Sequence, residues 1–141
     1  MFRSLFSKRG SRKGREATVH AMVAAMNSLD YDAMRSLMTE DAVVVDAGGR
    51  RVEGLEAILK ADREFREQAG RPEVVIDTLD HARDEVLVRA HMNSEMLEVA
   101  GPLMWRAQFE GSLIKWVEVT RPGELMSAPR HAAQRQNRIE A

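Results

Sequence analysis

The chain has 141 residues, 44 % apolar and 30 % charged, a composition that fits one folded domain with a real core and lies far from that of a wholly disordered chain. It contains no cysteine, which excludes disulfide frameworks, thiolate metal sites and thiol nucleophiles. Its apolar runs fall short of the roughly 20 residues that span a bilayer and of the roughly 7–15 of a secretory leader, so the expected location is the cytoplasm.

The net charge of −1 hides a segregation, because residues 1–15 carry six basic side chains and no acid while residues 16–121 carry 12 basic and 20 acidic. Residues 1–15 therefore read as a mobile basic arm, either solvated or resting weakly on an anionic surface through Phe2, Leu5 and Phe6. No motif in it points to specific nucleic-acid recognition. From Glu16, the spacing of Val19, Met22, Val23 and Met26 predicts a helix that stops near Asn27-Ser28. Asp30 is the expected N-cap of a short second helix carrying Met34, Leu37 and Met38, with Asp32 in its first turn. The β-branched run Ala42–Asp46 predicts a strand entering a turn at Gly48-Gly49. A third helix is expected after Gly54, with Leu55, Ile58, Leu59 and Phe65 inward, ending at Gly70. Strands follow at Glu73–Leu79, Glu85–Leu97, Leu103–Glu110 and Leu113–Arg121. The polar segment 122–141 reads either as disordered or as a terminal helix over a neighbour. One strand between helices, followed by a four-strand meander, is an α+β layout spanning residues 16–121.

The run VAAMNSLDYDAMRSLMTEDAVVVD, then Gly54-Leu55-Glu56-Ala57-Ile58 and the closing FEGSLIKWVEV, resembles the SnoaL-like and ketosteroid isomerase-like branch of the nuclear transport factor 2-like superfamily. The resemblance implies a cystatin-like α+β roll, a cone-shaped, curved mixed sheet cupped around three N-terminal helices, and a homodimer formed through the open sheet face. In the isomerases of that branch a carboxylate at the end of the first strand moves a proton beside a carbonyl, while a Tyr on the first helix and a protonated Asp on a late strand hold the oxyanion. Laid over this sequence, the base position is Asp46 and the donor positions are Met22 and Trp105. Methionine cannot donate a hydrogen bond and tryptophan offers only its indole N–H, so steroid isomerisation is disfavoured, since losing one such donor costs about 2.7–4 kcal/mol in the transition state.

Alternation along the late strands puts Trp105 on the same face as Leu103, Ala107 and Phe109, and puts Asp46 on the face of Val44. Asp46 is read either as a general base at the mouth of an apolar cup or as a cap on the Gly48-Gly49 turn. Asp62 falls inside the apolar arc of the third helix, where a carboxylate is either paired, with Arg66 or Arg106, or faces Asp46 as half of an acid–base pair. Arg89, His91, Arg106 and Trp116 are expected on the outer sheet face, with a bulge that turns His91 and Arg106 inward as the rival arrangement. His20, His81, His91 and His131 show no ligand spacing, and no cofactor motif is present. Two functions remain open. One is a domain that binds a small hydrophobic molecule in a cup lined by Met22, Val23, Met26, Val44, Trp105 and Phe109, with Asp46 and Asp62 as candidate groups for proton transfer, cyclisation or hydrolysis. The other is a non-catalytic dimeric interaction module whose cup is filled by its own side chains.

Overall fold

The computed structural model of the chain describes residues 11–123 and 125–140, without the side chains of 136–140. Ser11 opens the first helix, its Oγ accepting from Gly14 N at 2.8 Å. The helix α1 therefore spans Arg12–Ser28, and Arg12, Lys13 and Arg15 belong to it rather than to an arm. The signal was the short polar side chain before a helix; residues 1–10, with Phe2, Leu5 and Phe6, lie outside the described residues. Val19, Met22, Val23 and Met26 are all buried, as their spacing predicts. Leu29 ends α1 in the left-handed region at φ 58°. Asp30 caps α2 (Tyr31–Ser36) by accepting from Ala33 N at 3.1 Å.

The first strand, β1 (Met38–Asp46), begins four residues earlier than its β-branched run. Met38 is drawn into the sheet by its parallel partner Ile114, and Ile114 N donates to Leu37 O at 2.9 Å. A register shift between Met38 and Val43 separates the two halves of β1. The Gly48-Gly49 turn leads into β2 (Arg51–Glu53), a short strand the sequence reading took as connection, which pairs antiparallel with Val43–Val45. Then α3 runs over Leu55–Gln68 with Leu55, Ile58, Leu59 and Phe65 buried. The meander consists of β3 (Glu73–Ala82), β4 (Glu85–Asn93), β5 (Gly101–Glu110) and β6 (Leu113–Thr120). β4 stops at Asn93, not Leu97, so residues 94–100 form a loop with Leu97 fully out in solvent.

These strands form one mixed sheet in the order β2-β1-β6-β5-β4-β3, with only the β1–β6 pair parallel. One face is apolar, carrying across it the row Val88, Trp105, Val119 and Asp46 and the row Val86, Ala107, Val117 and Val44. The helices lie against this face and close the core. The segment after β6 folds into α4 (Ala128–Glu140) against α3, the second of the two states open for the tail. No helix among the described residues is long and apolar enough to cross a membrane.

Side chains tie helices to sheet edges where backbone pairing stops. His81 Nε2 lies 2.8 Å from Glu16 Oε1, joining β3 to α1. Asn27 acts as a strand residue, donating to Val74 O and accepting from Val74 N, both at 2.9 Å. Asn27→Ala strands both groups of Val74, so it is expected to cost about 1–3 kcal/mol, read as a lowered urea midpoint with unchanged denaturant slope.

Candidate functional site

Between the apolar sheet face and the helices lies a cavity of about 100 Å³. Its walls are almost wholly apolar: Met22 and Met26 of α1, Met34 of α2, and Val44, Trp105 and Val119 of the sheet are among them. The helix periodicity that builds the core thus also supplies flexible, polarisable walls. Asp62 and Arg66 of α3 reach the same space.

Asp62 sits two turns into α3, flanked by Ile58, Leu59 and Phe65, and is buried. Arg66, one turn further on, donates from Nε to Asp62 Oδ2 at 2.9 Å and from Nη1 to Pro72 O at 3.1 Å. The hydroxyl of Tyr31 donates to the same oxygen across a longer 3.4 Å. Both bonds therefore fall on Oδ2, and among the described residues Oδ1 receives none. Burial raises the Asp62 pKa, an effect that the Arg66 charge and the two hydrogen bonds only partly offset. Burial and then the neighbouring carboxylate push the Tyr31 phenol up to about 12, so it remains a donor throughout the neutral range. Arg63 stacks over the Tyr31 ring at 4.6 Å and fixes its plane.

Asp46 is placed differently. Its Oδ1 accepts from Gly48 N and Arg50 N, both at 2.9 Å, and its Oδ2 accepts from Arg50 Nε at 2.5 Å. This is the turn cap, and it consumes the carboxylate on the β1–β2 connection rather than in the cavity lining. Asp46 and Asp62 consequently share no hydrogen-bond partner, and of the two only Asp62 lines the cavity.

Of the other expected lining residues, Met22, Met26, Val44 and Trp105 do face the cavity, whereas Val23 and Phe109 do not. Val23 lies one residue round the helix from Met22 and is spent in the core. A register shift between Gln108 and Phe109 interrupts the strict alternation that grouped Phe109 with Trp105 and Ala107. Phe109 instead borders a polar surface groove with Arg15, Gln108 and Lys115.

On the outer face His91 Nδ1 is 3.0 Å from both oxygens of Asp77, and Arg106 stacks on Trp116 at 5.3 Å beside Glu85. Neither His91 nor Arg106 turns inward. Tyr31 escaped the sequence reading, although its i, i+3 spacing to Met34 on a capped helix was a usable signal. Ser127, Ala128 and Pro129, which also line the cavity, carried no local signal.

A mixed six-stranded open sheet with helices packed against one face is the α+β fold of the nuclear transport factor 2-like superfamily. Residues 19–119 match the SnoaL-like domain, and the chain belongs to that family. Its structure is similar to a candidate polyketide cyclase from Sinorhizobium meliloti, with 24 % identity over 73 % of this chain and 93 % of the other, TM-score 0.67. A cystatin-fold protein from Novosphingobium aromaticivorans has 26 % identity over 76 % and 97 % of the two chains, TM-score 0.69. A candidate ketosteroid isomerase from Kribbella flavida, at 13 % identity and 82 % of each chain, superposes with TM-score 0.70. No curated protein sequence matches.

The raised Asp62 pKa has a definite sign for stability. The folded chain holds this proton more tightly than the unfolded chain, whose carboxyl titrates near pH 4. Its contribution is therefore fully present below that value and is lost as pH rises through the raised folded value. Asp62→Asn removes the titration, so its stability relative to wild type is expected to improve as pH rises across this window in urea unfolding. Asp62→Ala also leaves the buried Arg66 Nε without its acceptor and is expected to cost about 1–3 kcal/mol, read as a lowered urea midpoint.

Proposed function

We propose that this SnoaL-like domain binds a small, largely apolar molecule in the cavity and transfers a proton to or from it through Asp62. The observation that carries the reading is that Asp62 meets the cavity with one carboxylate oxygen free of protein hydrogen bonds. A buried carboxyl whose pKa is raised is drawn toward the range useful for general acid–base work, and Tyr31 and Arg66 both bind Oδ2, which leaves Oδ1 without a protein donor among the described residues. Asp46, bound into its turn, is left a structural role. The space left among Met22, Met26 and Trp105 counts against a cup filled by its own side chains.

Neither Met22 nor Trp105 recreates a strong two-donor oxyanion hole, so the supported chemistry is protonation or deprotonation of a substrate that develops little localised charge. Apolar cavities of about 150 Å³ hold benzene; at about 100 Å³ this one is smaller, so a single-ring ligand enters only as the flexible methionine walls shift.

A thermal-shift panel of single-ring phenols, cyclic ketones and terpenoid epoxides tests the reading. A ligand at about 100 times its Kd adds roughly 2.7 kcal/mol of stability, several degrees in Tm. Binding is expected to weaken in Asp62→Asn and to persist in Asp46→Asn, which loses only its ion pair with Arg50, worth about 0–1 kcal/mol. Ligands that bind Asp62→Asn as well as wild type would remove Asp62 from the site.

A further inference from the structure

We propose that Arg66 and Asp62 together form an oxygen-binding site on the α3 wall of the cavity, one that takes the hydroxyl of a single-ring ligand, an inference that rests on the ligand-binding reading above. Both side chains line the cavity and both are buried. Each also has one hydrogen-bonding atom left over.

The guanidinium of arginine is planar, and the hydrogens of Nε and Nη2 lie along one edge, the edge that can serve both oxygens of a carboxylate at once. Arg35 uses it in full, donating from Nε to Glu56 Oε2 at 3.0 Å and from Nη2 to Glu56 Oε1 at 2.9 Å. Arg66 turns the same edge to Asp62 and makes half of that pair. Its Nε donates to Oδ2 at 2.9 Å and its Nη1 to Pro72 O at 3.1 Å, while Nη2 has no partner among the described residues. Oδ2 also accepts from Tyr31, so Oδ1 is the oxygen left without a donor. Nη2 is not sealed away either: unlike the fully enclosed, unbonded Thr39 Oγ1, it keeps a trace of open surface. A donor and an acceptor thus lie side by side on an otherwise apolar wall.

At the surface, an unmade half of such a pair is made good by water at little cost. In the interior, a bond left unmade carries the desolvation cost of its group, so the buried pair calls for a partner from the cavity side. The two atoms specify its chemistry. A hydroxyl accepts from Nη2 and serves either state of Asp62, donating to the carboxylate or accepting from the carboxylic acid, whereas a hydrocarbon satisfies neither atom. The rest of the ligand is left to the apolar walls, so the ring lies among Met22, Met26 and Trp105 with its oxygen toward α3.

Phenol and toluene share a ring and nearly match in size, so together they separate oxygen recognition from apolar burial. Each is titrated into the full chain by calorimetry. Wild type is expected to bind phenol about tenfold or more tighter than toluene. Arg66→Lys keeps the charge but has no planar edge to divide between Asp62 and a ligand, and is expected to bring the two affinities within about twofold by weakening phenol alone. A structure of the wild-type phenol complex is expected to place the phenol oxygen within about 3.2 Å of Arg66 Nη2 and Asp62 Oδ1. Toluene binding wild type as tightly as phenol overturns the oxygen site and leaves the apolar-ligand reading standing. A phenol preference that survives in folded Arg66→Lys removes Arg66 from the site and overturns the inference. Should Arg66→Lys fail to fold, the phenol complex of wild type decides: its oxygen at those two atoms supports the site, and its oxygen elsewhere overturns it. If neither compound binds wild type at any reachable concentration, the binding reading itself fails and the oxygen site falls with it.

Discussion

The structure depends on one long-range pairing, the parallel alignment of β1 with β6. Without it the chain holds a β1–β2 hairpin and a separate four-strand meander, each with one apolar face and neither able to enclose a volume. Pairing Val43–Asp46 with Trp116–Val119 merges them into one six-stranded sheet. It sets Val44 beside Val117 and Asp46 beside Val119 on the inner face. Because parallel strands cannot be joined by a tight turn, the chain between them has to carry α3 and the rest of the meander. That detour lays α3, with Asp62 and Arg66, across from the sheet.

The two carboxylates of interest show how location rather than residue type sets chemistry. Asp46 lies on the inner face of a strand, where an active group might be sought, yet the turn it enters offers two backbone N–H groups and a guanidinium within reach. A carboxylate so well supplied is spent in the turn. Asp62 lies on a helix among Ile58, Leu59 and Phe65, where desolvation outweighs the help from Arg66 and Tyr31. Burying an ion pair usually adds little stability over apolar packing. Its place on the cavity wall is therefore weak evidence of a contribution to stability.

The membership of the chain in the SnoaL-like family describes a scaffold on which sites vary. Here the pocket walls owe much to methionine, and the donor positions of the ketosteroid isomerase-like pattern hold Met22 and Trp105. The carboxylate that lines the cavity lies on the helical wall, and Ser127, Ala128 and Pro129 of the C-terminal segment complete the enclosure.

Periodicity alone located α1 and α3, the α2 cap at Asp30, the meander and the apolar lining by Met22, Met26, Val44 and Trp105, because burial follows directly from a 3.6- or 2-residue repeat. It also singled out Asp62, since a charge inside an apolar arc stands out in any helical projection. Local capping chemistry foretold one of the two uses open to Asp46. What periodicity could not decide was everything set by partners distant in sequence. The first half of β1 exists because Ile114 pairs with Met38, and Phe109 leaves the cavity because its strand slips register against β6. Arg66 rather than Arg106 meets Asp62 because Arg106 lies on the outer face with Trp116 and Glu85. Tyr31, Ser127 and Pro129 enter the site only once α2, α3 and α4 have packed. Sequence patterns report which face of an element is buried; which side chains then share a cavity depends on how those faces meet, and that was decided by tertiary packing.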